Sequence, residues 1–237
     1  MPQSHSDEDL TTALGRIEAR LEEQERSSDL GAALASPELA DFEHLYILGF
    51  SLGGHLALHY ATGVGVDPRL RAVAAVCAPL DLEACVDDFD QPNRWLYRRR
   101  ILSALKDLYR PVARRREMPV PVERVEAIRG IREWDELTVV PRFGFRDTAD
   151  YYARAGVASR LGRLRVPALL IAAEDDPMVT ARAVRSGLAV TSRHDLRVEW
   201  AAKSGHIGFP PGLDLGLGGE PGLENQALHW LLEESHT

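Results

Sequence analysis

Leu45-Tyr46-Ile47-Leu48-Gly49-Phe50-Ser51-Leu52-Gly53-Gly54 is the stretch that decides the fold. Leu45 to Leu48 are apolar without alternation and end at Gly49. A strand that is apolar toward both faces belongs in a parallel sheet covered on both sides. Gly-x-Ser-x-Gly directly after such a strand, with a helix expected from Leu52 to about Thr62, predicts a sharp strand-to-helix turn. Gly49 and Gly53 are expected there for a steric reason, because Cβ atoms beside so tight a turn would clash. The turn lifts the Ser51 hydroxyl above the sheet and sets it at a helix N-terminus, where the dipole favours a developing anion. The backbone N–H of Leu52 is then a candidate oxyanion donor.

Working outward, Leu70–Ala78 and Val166–Ala173 are further apolar runs of strand length, and Leu196–Trp200 alternates. Leu223–Glu234 has the pattern of an amphipathic helix. Strands that alternate with helices predict an α/β fold, a mostly parallel sheet with helices on both faces. Ser6 followed by Asp7, Glu8 and Asp9 marks a helix start, and Leu10, Ala13, Leu14, Ile17 and Leu21 recur on one face of it. Residues from there to about Asp41 are expected to be loop with short helical pieces. The segment from Glu83 to Tyr152 has weaker strand signals and many Arg and Trp residues. It is expected to be a helical cap inserted into one domain spanning 1–237, with the core at about 1–82 and 153–237. Arg98-Arg99-Arg100 and Arg114-Arg115-Arg116 are expected on a solvated helix face. Trp95, Tyr97, Trp134 and Phe143 are expected to pack a small core within the insertion.

A serine nucleophile needs a base and an acid that orients it, and downstream of an elbow the chain order is acid, then His. After the strand ending at Ala173 comes Glu174-Asp175-Asp176-Pro177. Asp176 is the preferred acid and Asp175 the alternative. The histidines beyond it are His194, His206, His229 and His236. His206 lies in the small-residue loop Lys203-Ser204-Gly205-His206-Ile207-Gly208, just after a predicted strand, and is the preferred base. His194 precedes that strand, His229 is on the last helix and His236 is in the tail. His55 and His59 are expected to be helix-face residues.

Composition sets limits on partners. The 237 residues carry a net charge of -8, which speaks against holding a nucleic acid by bulk electrostatics. Cys77 and Cys85 fit no metal or disulfide pattern, so no structural metal or cofactor is expected and a reducing cytoplasm suits the chain. The start is polar and acidic, unlike a signal peptide, and no apolar run has the length of a membrane span.

Several further stretches, taken in order with the elbow, carry a resemblance. These are Pro79-Leu80-Asp81-Leu82, the run Tyr97 to Lys106, Gly144-Phe145, Asp150-Tyr151-Tyr152, Val166-Pro167, Asp175-Asp176-Pro177 and Gly205-His206-Ile207-Gly208-Phe209. With Gly49-Phe50-Ser51-Leu52-Gly53-Gly54 they resemble the YheT-like α/β-hydrolases, a group of serine esterases and lipases that also includes acyltransferases. The resemblance implies the α/β-hydrolase fold, with Ser51 as nucleophile, Asp176 as acid and His206 as base, acting on carboxylic esters including acylglycerols. His55 stands where the family usually has Asn. Family members carry roughly a further hundred residues before the point where this chain starts, on the scale of half a domain. Those residues supply the first strands and a His-Gly loop that lends the second oxyanion N–H. Three expectations follow: an open apolar edge at Leu45–Leu48, self-association through that edge, and activity weakened by ~10²–10³ for want of one oxyanion donor. The rival reading is a weak or inactive truncated hydrolase serving as an interaction protein.

Overall fold

The computed structural model describes residues 29–115, 117–190 and 195–233. The N-terminal helix expected from Ser6, His194 and His236 lie outside the described residues. The chain divides into two compact units, one containing residues 27–85 and 156–237 and the other containing residues 86–155.

The first unit is built on four parallel strands: β1 (Leu45–Phe50), β2 (Leu70–Val76), β3 (Ala168–Ala173) and β4 (Leu196–Ala201), side by side in that order. Helix α1 (Leu52–Ala61) joins β1 to β2. Three helices follow in this unit's remaining segments: α2 (Leu82–Phe89), whose last turns pass into the second unit, α7 (Ala181–Ala189) between β3 and β4, and α8 (Leu223–Glu233) after β4.

Period-two geometry sorts the strand residues onto two cores. Val73, Ala75, Leu170 and Ala172 join Leu58 and Ala61 of α1 and Val184 and Leu188 of α7 on one face. Ala74, Val76, Leu169 and Ile171 join Leu223, Ala227, Trp230 and Leu231 of α8 on the other. This is why β3 reads as an unbroken apolar run and β2 as one broken only at exposed Arg71.

The strand ends depart from the expected boundaries for local reasons. β2 stops at Val76 rather than Ala78, because Cys77 turns into the left-handed region with φ 49°. β3 starts at Ala168 rather than Val166; Pro167 has no N–H to give the ladder, although its carbonyl accepts from Val73 N–H at 3.1 Å. Alternation along β4 is imperfect. Leu196 and Ala201 are buried and Arg197 is exposed, but Val198 to Trp200 are all half-buried. The Arg185 guanidinium lies 4.3 Å from the Trp200 ring centroid.

Ahead of β1, residues 29–34 are helical and a 3-10 turn covers Pro37–Leu39. Arg69 ties this segment down. Its guanidinium donates to the carbonyls of Leu34 at 2.7 Å and Leu39 at 2.5 Å, and to the Asp67 carboxylate at 2.7 Å. Among the described residues β1 pairs on one side only, with β2.

The second unit is helical: α3 (Trp95–Ala113), α4 (Val122–Ala127), α5 (Ile131–Trp134) and α6 (Thr148–Ala155). Polar side chains reaching backbone groups hold it together. Buried Lys106 donates to the carbonyls of Glu126 at 2.9 Å and Ile128 at 2.8 Å, at the C-terminal end of α4, where a cation complements the helix dipole. The Asp90 carboxylate accepts the N–H groups of Ile131 and Arg132, capping α5. Tyr152 Oη donates to Asp135 at 2.8 Å, out of water. Only part of the aromatic core expected here forms: Trp134 is buried against Tyr109, whereas Trp95 and Tyr97 are exposed.

Candidate active site

Ser51 is neither strand nor helix. Its φ of 52° and ψ of -123° lie outside the regions open to a relaxed L-residue. Hydrogen bonds fix that backbone from both directions: Ser51 N–H donates to Val76 at 2.8 Å, and Ser51 C=O accepts from His55 N–H at 3.1 Å.

The glycines around it are not equivalent. A Cβ on Gly49 would lie 2.5 Å from the Gly53 carbonyl oxygen. One on Gly54 would lie 2.9 Å from the Gly49 oxygen and 3.1 Å from the Ala78 side chain. One on Gly53 would meet nothing within 4 Å. The crowding expected at Gly53 therefore belongs to Gly54, where α1 presses against the end of β2.

Three side chains converge at the C-terminal ends of the strands. His206 Nε2 lies 2.8 Å from Ser51 Oγ, and His206 Nδ1 lies 2.8 Å from Asp176 Oδ2. A carboxylate can only accept, so Nδ1 carries the proton and Nε2 is left to accept from the serine hydroxyl. The Asp176 side chain is fully buried and that of His206 is 11% exposed. The other Asp176 oxygen accepts the N–H groups of Met178 at 2.7 Å and Val179 at 2.9 Å. This is an Asx turn that locks the carboxylate after β3. Asp175, the alternative acid, points to solvent. His206 rides on a tight loop in which Gly205 N–H donates to Gly208 at 2.9 Å and Lys203 takes φ 53°. His229 packs against the backbone of Gly218 and Gly219. The Leu52 N–H opens α1 and has no carbonyl four residues back within the helix.

Other stretches singled out in the sequence support this site structurally. His55 Nδ1–H donates to the Pro79 carbonyl at 2.7 Å. Leu80 C=O accepts from Val157 and Ala158. Asp81 caps α2 through Ala84 N–H at 3.0 Å and takes the Ser186 hydroxyl at 2.7 Å.

Cys77 is the neighbour that the sequence left unmarked. It is buried, and its Sγ lies with the ligand atoms of Asp176 and His206 inside a 4.8 Å cluster. Burial, reinforced by the Asp176 charge, pushes its thiol far above the ordinary range. Asp176 and His206, the other two members of that cluster, bond to each other at 2.8 Å.

A family model described as the alpha/beta hydrolase family matches residues 3–213. The chain belongs to the α/β hydrolase family. Its similarity within this family is to YheT-like members. It is 28% identical over 164 residues to the putative esterase YheT of Escherichia coli (strain K12), covering 68% of this chain and 48% of that protein. It is 29% identical over 168 residues to phospholipase ABHD3 of Mus musculus, covering 70% and 40%. It is 27% identical over 158 residues to medium-chain fatty acid ethyl ester synthase/esterase 2 of Saccharomyces cerevisiae (strain ATCC 204508 / S288c), covering 57% and 35%. The chain thus spans about half or less of the length of these α/β-hydrolase relatives. No helix among the described residues is long and apolar enough to cross a membrane.

Proposed function

We propose that this chain cleaves carboxylic esters, lipid esters included, through an acyl-enzyme on Ser51. The observation that carries the reading is the pair of 2.8 Å contacts linking Ser51, His206 and Asp176 at a strained turn. His206 Nε2 takes the Ser51 proton as Oγ attacks the ester carbonyl. Asp176 keeps the imidazole in the Nδ1–H tautomer and stabilises the imidazolium. The Leu52 N–H stabilises the oxyanion. The imidazolium then protonates the leaving alcohol, and a water activated by His206 releases the acid. An alcohol in place of that water would make the same site an acyltransferase. The ester class is also supported by the relatives, whose names are esterase and phospholipase.

Residues 83–152 are read as a cap insertion within one hydrolase domain. A cytoplasmic location is read from the two cysteines, both buried and outside any disulfide. Self-association is read from the one-sided pairing of β1; size-exclusion chromatography over a concentration series checks it, and a monomer throughout would refute it.

The central test is hydrolysis of a short-chain p-nitrophenyl ester by the wild type and Ser51→Ala, with fluorophosphonate labelling alongside. Turnover is expected to fall at least ~10³-fold in the variant and labelling to vanish. Equal rates in the two proteins would defeat the proposal.

A further inference from the structure

Backbone strain points to one more group at the site. Among the described residues, three that are not glycine take a positive φ: Ser51, Cys77 and Lys203. An L side chain in that region costs free energy and persists where the surroundings require it. Ser51 stands at the elbow, and Lys203 opens the loop that carries His206. Cys77 takes φ 49° directly after β2, and its N–H donates to the Ile171 carbonyl at 2.8 Å. Glycine would make this turn without strain. Ala74, Ala75 and Ala78 beside it are fully buried with no more than a methyl group. At position 77 the chain instead keeps a thiol, and its Sγ falls within 4.8 Å of the ligand atoms of both Asp176 and His206.

The Asp176 carboxylate has a place for that thiol. The Asp176 side chain is fully buried, so its hydrogen-bond donors come from the protein. One oxygen accepts the N–H groups of Met178 and Val179, and the other accepts Nδ1–H of His206. Each carboxylate oxygen can accept about two hydrogen bonds, which leaves a site on the oxygen that holds His206. Burial, then the Asp176 charge, then a hydrogen bond to that carboxylate keep the Cys77 thiol protonated, and a protonated thiol donates. We infer that Cys77 is a positioning residue, whose Sγ–H fills the remaining acceptor site of Asp176 and fixes the carboxylate that orients His206. The inference rests on the reading of Ser51, His206 and Asp176 as a hydrolytic triad. Cys77 acts through Asp176 and not on the ester.

Two measurements test it. The first is the infrared S–H stretching band, recorded in a Cys85→Ala background so that one thiol remains. Asp176→Asn weakens the acceptor, and the Cys77 band is expected to move to higher wavenumber. A band that stays in place would overturn the inference. This readout needs no turnover. If Ser51→Ala matched the wild type in ester hydrolysis, the triad reading would fail and the band would still decide what the thiol does. The second measurement is steady-state hydrolysis of the p-nitrophenyl ester by Cys77→Ser, Cys77→Ala and Cys77→Gly. Serine keeps a donor and is expected to hold kcat within ~2-fold of wild type, while alanine and glycine lose ~3- to 10-fold with KM unchanged. Alanine retains the strained φ and glycine relieves it, so equal loss in the two assigns the effect to the missing donor. Full activity in Cys77→Ala, or a loss in Cys77→Ser as large as in Cys77→Ala, would overturn the inference.

Discussion

The two units are stabilised by different means. In the sheet unit, Leu170, Ile171 and their neighbours are buried on two faces, and polar clamps such as Arg69 tie down the segments outside the sheet. In the 86–155 unit, single polar side chains hold several backbone groups at once: Lys106 binds two carbonyls and Asp90 two N–H groups. Apolar burial is redundant and periodic, so many residues carry the same message. Polar clamps are singular, and each depends on a partner up to dozens of positions away.

The contrast can be broken at its sharpest point by Gly49→Ala, whose Cβ would meet backbone at 2.5 Å. A loss of at least ~3 kcal/mol in urea unfolding, with loss of fluorophosphonate labelling, is expected. Gly53→Ala, two positions beyond Ser51, should be neutral or stabilising by ~0.5–1 kcal/mol. Next in size is Leu170→Ala, a cavity between strand and helix, expected to cost ~2–5 kcal/mol in the same assay. In the helical unit, Tyr152→Phe removes one donor from buried Asp135 and should cost ~1–3 kcal/mol. If Tyr152→Phe outweighed Leu170→Ala, the contrast between the units would fail.

The smallest effect is electrostatic. Hydrogen bonds from Arg69, first from its side chain and then from its backbone N–H, hold the Asp67 carboxyl below its ordinary 3.8. The unfolded chain binds the proton more readily, so this stabilisation is fully present above pH 3.8 and fades as pH falls through the lower folded value. Thermal unfolding of Asp67→Asn should therefore lose less stability than the wild type over that acidic interval. Parallel curves for the two proteins would remove Asp67 from the account.

The same contrast explains what could be read in advance. β1, β2 and β3 announced themselves through apolar runs, because burial on two faces leaves few polar positions to interrupt them; β4 showed itself by alternation, α1 and α8 were read from the helix signals beside them, and α7 was not read. Ser51, Asp176 and His206 could be nominated because strand ends and small-residue loops mark where such groups can stand. The preference for Asp176 over Asp175 rested on its place before Pro177 and on the family resemblance, not on the contact that decides the choice. That choice depends on which carboxylate turns inward to accept Met178 and Val179. Gly54 was passed over in favour of Gly53 because spacing alone does not say which glycine faces the end of β2. Trp95 and Tyr97 were expected in a core because aromatic residues usually pack; nothing local distinguishes an aromatic residue left facing water.

The two cysteines offer one more consequence. Cys77 and Cys85 are both buried and outside any disulfide, and both belong to the sheet unit, while residues 86–155 contain none. The folded chain should therefore be silent toward thiol reagents, and alkylation would act as a clock that runs only while the sheet unit is open. Timed against proteolytic cutting within 86–155, that clock would separate the opening rates of the two units without adding a label to either.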